Sequence, residues 1–261
     1  MTEAWSLLGA ELSQWQARGL TADLWWRDDD AVSDTPALRR LIRTARVPVA
    51  LAVIPAALQQ DLAQLLSAGQ DTAHVAVLQH GFAHYNHEPA GSKKAELGAA
   101  RPAETVLSEL AAGAAILRRH FGSRALPVLT PPWNRIAPAV TQGLAPRGFR
   151  GLTTYLPRAA AQPFAGLRQV NTHVDIIDWH GDRGFLGIEP TLALLIRHLR
   201  ARRLGHADAT EPTGILTHHL VHDEASWAFL ERLQDWLSGF PMIRWLTAPA
   251  VFANILDQKE E

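Results

Sequence analysis

The chain has 261 residues, 47% of them hydrophobic and 20% charged, which suits one large α/β domain of ordinary globular composition. A formal net charge of -1 excludes a global field that would draw in nucleic acid or an anionic membrane, so neither is expected as a partner. The absence of cysteine excludes disulfides and thiolate metal sites.

At the start of the chain, Trp5, Leu8, Leu12 and Trp15 recur at helical spacing and predict an N-terminal helix within residues 1–20, one face of it buried. This stretch lacks the basic start and apolar run of a signal peptide, and no segment approaches the ~20 apolar residues of a membrane span, so a cytoplasmic location is expected. A strand at 22–27 runs straight into Asp28-Asp29-Asp30. Thr35 is placed to cap a helix with Pro36 in its first position and Leu38, Leu41 and Ile42 on its inner face. A strand at 49–54, a helix marked by Leu58, Leu62, Leu65 and Leu66, and a strand at 74–79 follow, the last ending on His80-Gly81-Phe82-Ala83-His84. Residues 88–102 are small and polar and read as a mobile loop. Val106, Leu110, Leu117 and Phe121 mark a long helix before a strand at 125–129, after which comes Pro131-Pro132-Trp133-Asn134-Arg135. Strands are expected at 149–153 and 170–177, the second ending on Asp178-Trp179-His180. Leu192, Leu195, Ile196 and Leu199 mark a helix, 203–212 a second loop, and 214–217 a strand ending on His218-His219. A helix through Trp227, Leu230, Leu233 and Leu237 and a strand at 242–246 complete the chain.

Strand–helix alternation of this kind implies parallel strands joined by helical crossovers. About eight strands suggest a closed or nearly closed barrel in a single domain covering residues 1–261, with an open doubly wound sheet as the alternative. No glycine-rich phosphate loop follows any strand, which counts against a nucleotide fold. In a parallel barrel the five polar clusters all fall at strand ends on one rim, where active sites are built.

Three adjacent carboxylates repel one another unless a cation lies close, although a solvated acidic turn is the plainer reading. His80 and His84 stand four apart, and on one helical turn both rings would face the same side. Two imidazoles and a carboxylate suit zinc or another divalent first-row metal, and they leave positions open for water and substrate, the arrangement of a catalytic site. His218 at a strand end is placed to act as a general acid, and His219 should point the other way along an extended chain. Trp133 and Trp179 serve either as apolar walls of a site or as ordinary core.

With these residues in order, the chain resembles the polysaccharide deacetylase family of carbohydrate esterases, the NodB-like deacetylases, which remove N- or O-acetyl groups from sugars. The resemblance implies an irregular (β/α) barrel of seven or eight mostly parallel strands. It implies that Asp29 is the base and that Asp30, His80 and His84 hold a divalent metal, expected to be zinc, with Asp28 leaving the register open by one position. Gly81 stands where the family's second motif has Ser or Thr. The third motif reads Arg-x-Pro-aromatic-Gly in the family, and Thr130-Pro131-Pro132-Trp133-Asn134 takes its place here, so the arginine that orients the base is missing. Arg135 is expected to compensate by reaching Asp29 or Asp178. Asp178-Trp179 matches the family's Asp-Trp pair, and His218 its closing histidine, the expected acid for the leaving group. Trp133, Asn134, Arg135, Asp178 and Trp179 are the expected substrate-binding residues. The implied partner is an acetylated carbohydrate or another small molecule. A cyclic amide or imide hydrolase of the same superfamily and a non-catalytic carbohydrate-binding relative are the competing readings.

Overall fold

The central strand, β1 (Ala22–Ala31), carries the pattern from which the rest of the sheet can be read. Leu24 and Trp26 sit in the large apolar cluster shared with the outer helices, while Trp25 joins Ala50, Ala52, Leu78 and Val128 on the opposite face. Side chains alternate along a strand, so Arg27, Asp29, His80 and Thr130 continue that second face toward the ends of their strands.

The computed structural model describes residues 2–67 and 72–256. In chain order it has α1 (Glu3–Ala17), β1, α2 (Pro36–Thr44), β2 (Val49–Val53), α3 (Gln60–Ser67), β3 (Val75–His80), α4 (Ala103–Phe121), β4 (Ala125–Thr130), α5 (Pro138–Gln142), β5 (Gly151–Leu152), β6 (Arg168–Gln169), β7 (Val174–Asp175), α6 (Ile188–Leu204), β8 (Thr213–Thr217), α7 (Glu224–Ser238), β9 (Ile243–Trp245) and α8 (Ala248–Leu256). The strands pair in parallel in the order β6-β5-β4-β3-β2-β1-β8-β7, with β9 beside the start of β1, and the sheet curls into a half-barrel flanked by helices. The expected mostly parallel α/β barrel is the architecture found.

The strand expected at 170–177 is extended into the sheet only at β7 (Val174–Asp175), and a separate short strand, β6 (Arg168–Gln169), precedes it. β6 and β7 lie at opposite edges of the sheet, although only four residues separate them in the chain. Those four span the seam: Val170 N–H donates to Leu152 O, and His173 N–H to Gly214 O at 2.7 Å. An apolar run thus reads as one strand when its two halves bond to different neighbours. The two stretches expected to be mobile are anchored. Glu96 (1% exposed) and Leu97 are buried in the first, and Glu211 is fully buried in the second, where it accepts N–H bonds from Arg158 and Asn171.

Capping follows the sequence pattern: Thr35 Oγ1 accepts from Leu38 N–H at 3.0 Å and opens α2. The N-terminal helix α1 buries Trp5, Leu8, Leu12 and Trp15 as its spacing requires. The unexpected α8 lays Val251 and Phe252 on the inner face, with the Phe252 ring edge-on to Trp25 at 6.1 Å. No helix among the described residues is long and apolar enough to cross a membrane.

Closure of the seam needs a residue without a side chain at Gly214. A Cβ there would lie 2.7 Å from Asn171 O and 2.5 Å from Trp25 Nε1. Gly214→Ala should therefore destabilise the fold by about 1–3 kcal/mol, the usual cost of overpacking. Thermal unfolding should fall by roughly 2–10 °C, and an unchanged midpoint would show that the seam is loose.

Candidate metal centre and active site

The acidic run does not continue the strand evenly. Between Asp28 and Ala31 the register of β1 against β2 slips by one residue, and Asp30 takes a left-handed backbone with φ 71°. A bulge of this kind re-aims a side chain, and the three carboxylates end in three different places.

Asp28 is fully buried and turns to β8. It accepts from Thr217 Oγ1 at 2.6 Å, from His219 N–H at 3.1 Å and from His219 Nδ1 at 2.5 Å. Burial works against its charge, yet His219 holds its pKa below the ordinary carboxylate value, and Asp28 in turn raises that of His219.

Asp29 shares a face with Arg27, two residues earlier, and the two form a bidentate pair. Arg27 Nε donates to Asp29 Oδ1 at 2.9 Å and Nη2 to Oδ2 at 3.0 Å. The guanidinium is fully buried and also donates to Asn134 Oδ1 at 2.8 Å, Thr153 Oγ1 at 2.9 Å and Thr154 O at 3.2 Å. The arginine absent from β4 is thus supplied by β1. Arg135, expected to take that role, is turned away and donates to Lys94 O at 2.7 Å. Its neighbour Asn134 makes the link instead, because Trp133 and Asn134 both adopt left-handed backbone (φ 55° and 56°) and swing the amide inward.

Asp30 faces the two histidines. Its Oδ1 lies 3.1 Å from His80 Nε2 and 3.4 Å from His84 Nε2. His80 Nδ1 bonds the Thr130 carbonyl at 3.0 Å. A carbonyl only accepts, so Nδ1 carries the ring proton and Nε2 of the neutral ring turns a lone pair toward the carboxylate. Asp30 Oδ1 is itself buried without a hydrogen-bond donor. Acceptors converging on one point require a cation or an extra proton between them, so these residues fit a divalent metal. Without it the cluster attracts protons. Burial opposes charge on His80, but Asp29 and Asp30 outweigh it and raise its pKa, whereas burial and charge on His80 lower that of His84. The helical turn expected between His80 and His84 is absent. Left-handed conformations at Gly81 (φ 56°) and His84 (φ 59°) bring the rings to 5.1 Å apart at the end of β3.

The far wall is formed by residues after β7 and β8. The edge of Trp179 meets the His218 ring at 4.7 Å, and Trp179 Nε1 donates to Asp175 Oδ2 at 2.8 Å. Burial raises the Asp175 pKa. Asp178, expected in the site, caps its own turn by accepting from His180 and Gly181 N–H, so Asp175 is the inward carboxylate of this segment. Trp133 packs on His84 at 4.4 Å and stands as the wall beside the histidine pair.

A second group of ligand types, His173, His198 and Glu211, is buried elsewhere. His173 Nδ1 accepts from Gly214 N–H at 2.9 Å, so its proton sits on Nε2, opposite Glu211 at 3.4 Å. A protonated nitrogen cannot bind a metal. The stacked rings, 3.4 Å apart, form a polar core layer, where burial first and then neighbouring charges push the His198 pKa down to about 2.

No family profile matches the sequence, and no curated protein is similar to it in sequence. Solved structures are similar in fold. A Mycobacterium smegmatis protein described as a polysaccharide deacetylase superposes with a TM-score of 0.61 at 16% identity over 93% of both chains. A carbohydrate esterase family 4 enzyme from Streptococcus mutans gives 0.56 at 14% identity, over 91% of this chain and 90% of that one. A family 4 acetyl xylan esterase from Clostridium thermocellum, solved with a cobalt ion, gives 0.53 at 12%, over 89% and 91%. This chain has the polysaccharide deacetylase fold.

The Arg27–Asp29 pair is the buried charge on which this rim depends. Arg27→Leu leaves Asp29 uncompensated and should cost about 3–5 kcal/mol in urea unfolding. Adding Asp29→Leu should recover part of that loss, and a double variant no more stable than the single one would contradict the coupling.

Proposed function

We propose that the protein is a metal-dependent hydrolase that removes acetyl groups from N- or O-acetylated carbohydrate. The observation that carries this reading is the convergence of Asp30, His80 and His84 beside a carboxylate, Asp29, clamped by a buried guanidinium. Asp30, His80 and His84 would hold the ion, and a two-nitrogen, one-oxygen donor set suits zinc, cobalt or a similar first-row metal. Once bound, the ion supplies a Lewis acid that lowers the pKa of water and polarises an acyl carbonyl.

The chain's own residues do the rest. Asp29 accepts the proton of the attacking water, its lone pairs fixed by the fork of Arg27. His218, across the site, returns a proton to the departing amine or alcohol. Asp175 and Trp179 hold that side, and Trp179, 40% exposed, offers an apolar face to a sugar ring or acetyl methyl group. Fold neighbours named for this chemistry include a peptidoglycan N-acetylglucosamine deacetylase, at 15% identity and a TM-score of 0.54. The competing reading as a cyclic amide hydrolase drew on the parts of the sugar motifs that the chain lacks, and Arg27 makes good one of these, the guanidinium beside Asp29.

Acetate release from acetylated chito- and xylo-oligosaccharides, measured beside cyclic ureide hydrolysis, tests the assignment. After reconstitution with Zn2+ or Co2+, His84→Ala should retain no stoichiometric metal. Asp29→Asn should keep its metal and lose about 10²–10⁴-fold in turnover. Metal lost from Asp29→Asn but kept in Asp30→Asn would shift the ligand assignment by one residue.

A further inference from the structure

His80 and His84 are held in different ways. The His80 ring is fixed through its own nitrogen by the Thr130 carbonyl, whereas the His84 ring packs on Trp133 and takes its direction from a left-handed backbone. That backbone has a support of its own. The N–H groups of Phe82, Ala83 and His84 converge on one side of the turn, a concavity suited to an anion. The carboxylate of Glu96 fills it: Oε1 accepts from Ala83 at 2.7 Å and His84 at 3.1 Å, and Oε2 from Phe82 at 3.2 Å.

We propose that Glu96 is a positioning residue for the metal centre, acting through the backbone of the turn from Gly81 to His84 to aim the His84 imidazole. This rests on the metal reading above. Glu96 is 1% exposed, so its charge is met by oriented amide dipoles rather than by water. Arg101 secures the segment without touching the carboxylate, donating to Glu96 O at 3.3 Å and Glu109 Oε1 at 2.8 Å. The rest of the loop is folded to deliver the side chain: Asn86 Oδ1 accepts from Glu88 and Ala95 N–H, and Leu97 O accepts from Ala137 N–H.

Gly81 is the other half of the device. A Cβ there would fall 1.9 Å from Glu96 Oε2 and 2.7 Å from Pro132 Cγ and Cδ. Glycine at 81 leaves this space open, and the Glu96 carboxylate occupies it and bonds the turn.

The test is a chelator-competition titration of the full chain with Zn2+, repeated with Co2+, together with thermal unfolding of the metal-free protein. Glu96→Gln keeps the shape but turns an NH2 group or an uncharged oxygen toward three donors. It should weaken Zn2+ binding about 10–100-fold, the usual effect of losing a group that orients a metal ligand. The Co2+ absorption spectrum should change with it, and saturating Zn2+ should restore part of the turnover. Gly81→Ala, with Glu96 intact, should displace the carboxylate and weaken Zn2+ binding in the same direction, which decides the matter if Glu96→Gln does not fold. If both variants lose thermal stability but bind Zn2+ as tightly as the wild type, Glu96 merely holds the loop and the proposal is overturned. Wild-type protein that binds neither ion would overturn the metal reading itself, and this proposal with it.

Discussion

A guanidinium with no exposure, on the inner face of a barrel, is the constraint around which this site is arranged. Burying such a charge costs several kcal/mol unless it is paired and every N–H is met. Arg27 meets the requirement with Asp29, Asn134, Thr153 and Thr154, so β1, the turn after β4 and the chain after β5 are tied to one side chain. The pair also fixes Asp29 in one orientation. A two-point clamp of this kind fixes the direction of a carboxylate's lone pairs in a way a lysine could not. On β4 the main-chain oxygen of Thr130 accepts from both His80 Nδ1 and Gly81 N–H.

Backbone strain is concentrated at the same rim. Six non-glycine residues with positive φ occur among the described residues, and four of them, Asp30, His84, Trp133 and Asn134, line the candidate site. Conformations of this kind cost about 1–3 kcal/mol each and persist where the surroundings impose them. Each here has an identifiable restraint or use. The bulge turns Asp30 toward the histidines, the Glu96 carboxylate holds the turn at His84, and the Trp133–Asn134 turn reaches Arg27. The strain is the local cost of bringing side chains from the ends of β1, β3 and β4 to one point.

The opposite treatment of polar groups appears behind β8. His173, His198 and Glu211 look like a ligand set by composition, yet two of them already accept backbone protons at the seam of the barrel: His173 Nδ1 from Gly214 N–H, and Glu211 from Arg158 and Asn171 N–H. Proton bookkeeping on the ring nitrogens, rather than proximity, separates the two histidine clusters. In one the lone pairs of Asp30, His80 and His84 converge, and in the other the His173 Nδ1 lone pair already accepts from Gly214 N–H.

The amino-acid sequence by itself determined the strand–helix alternation, the parallel sheet, the capped helix at Thr35 and the polar clusters at strand ends, because each follows from side-chain periodicity of 2 or 3.6 along a short stretch. The run Asp28–Asp30, His80, His84 and His218 stood out as ligand and acid types at strand ends, and the separate roles of Asp29 and Asp30 came from the resemblance to the deacetylases. Arg27 could have been found there too, since it stands two before Asp29 in a strand and must share its face. What the tertiary structure decided were the relations that local pattern does not encode. The run 168–175 divides between two edges of the sheet, because the strand neighbours it bonds are far away in the chain. Arg135 leaves the site and Asn134 enters it, because two left-handed residues rotate the turn. Asp175 rather than Asp178 faces inward, because β7 stops two residues earlier than its apolar run. Glu96, in a stretch whose composition suggested mobility, is bound under the His84 turn, because a buried carboxylate goes where unpaired N–H groups are, and their position exists only once the chain has folded.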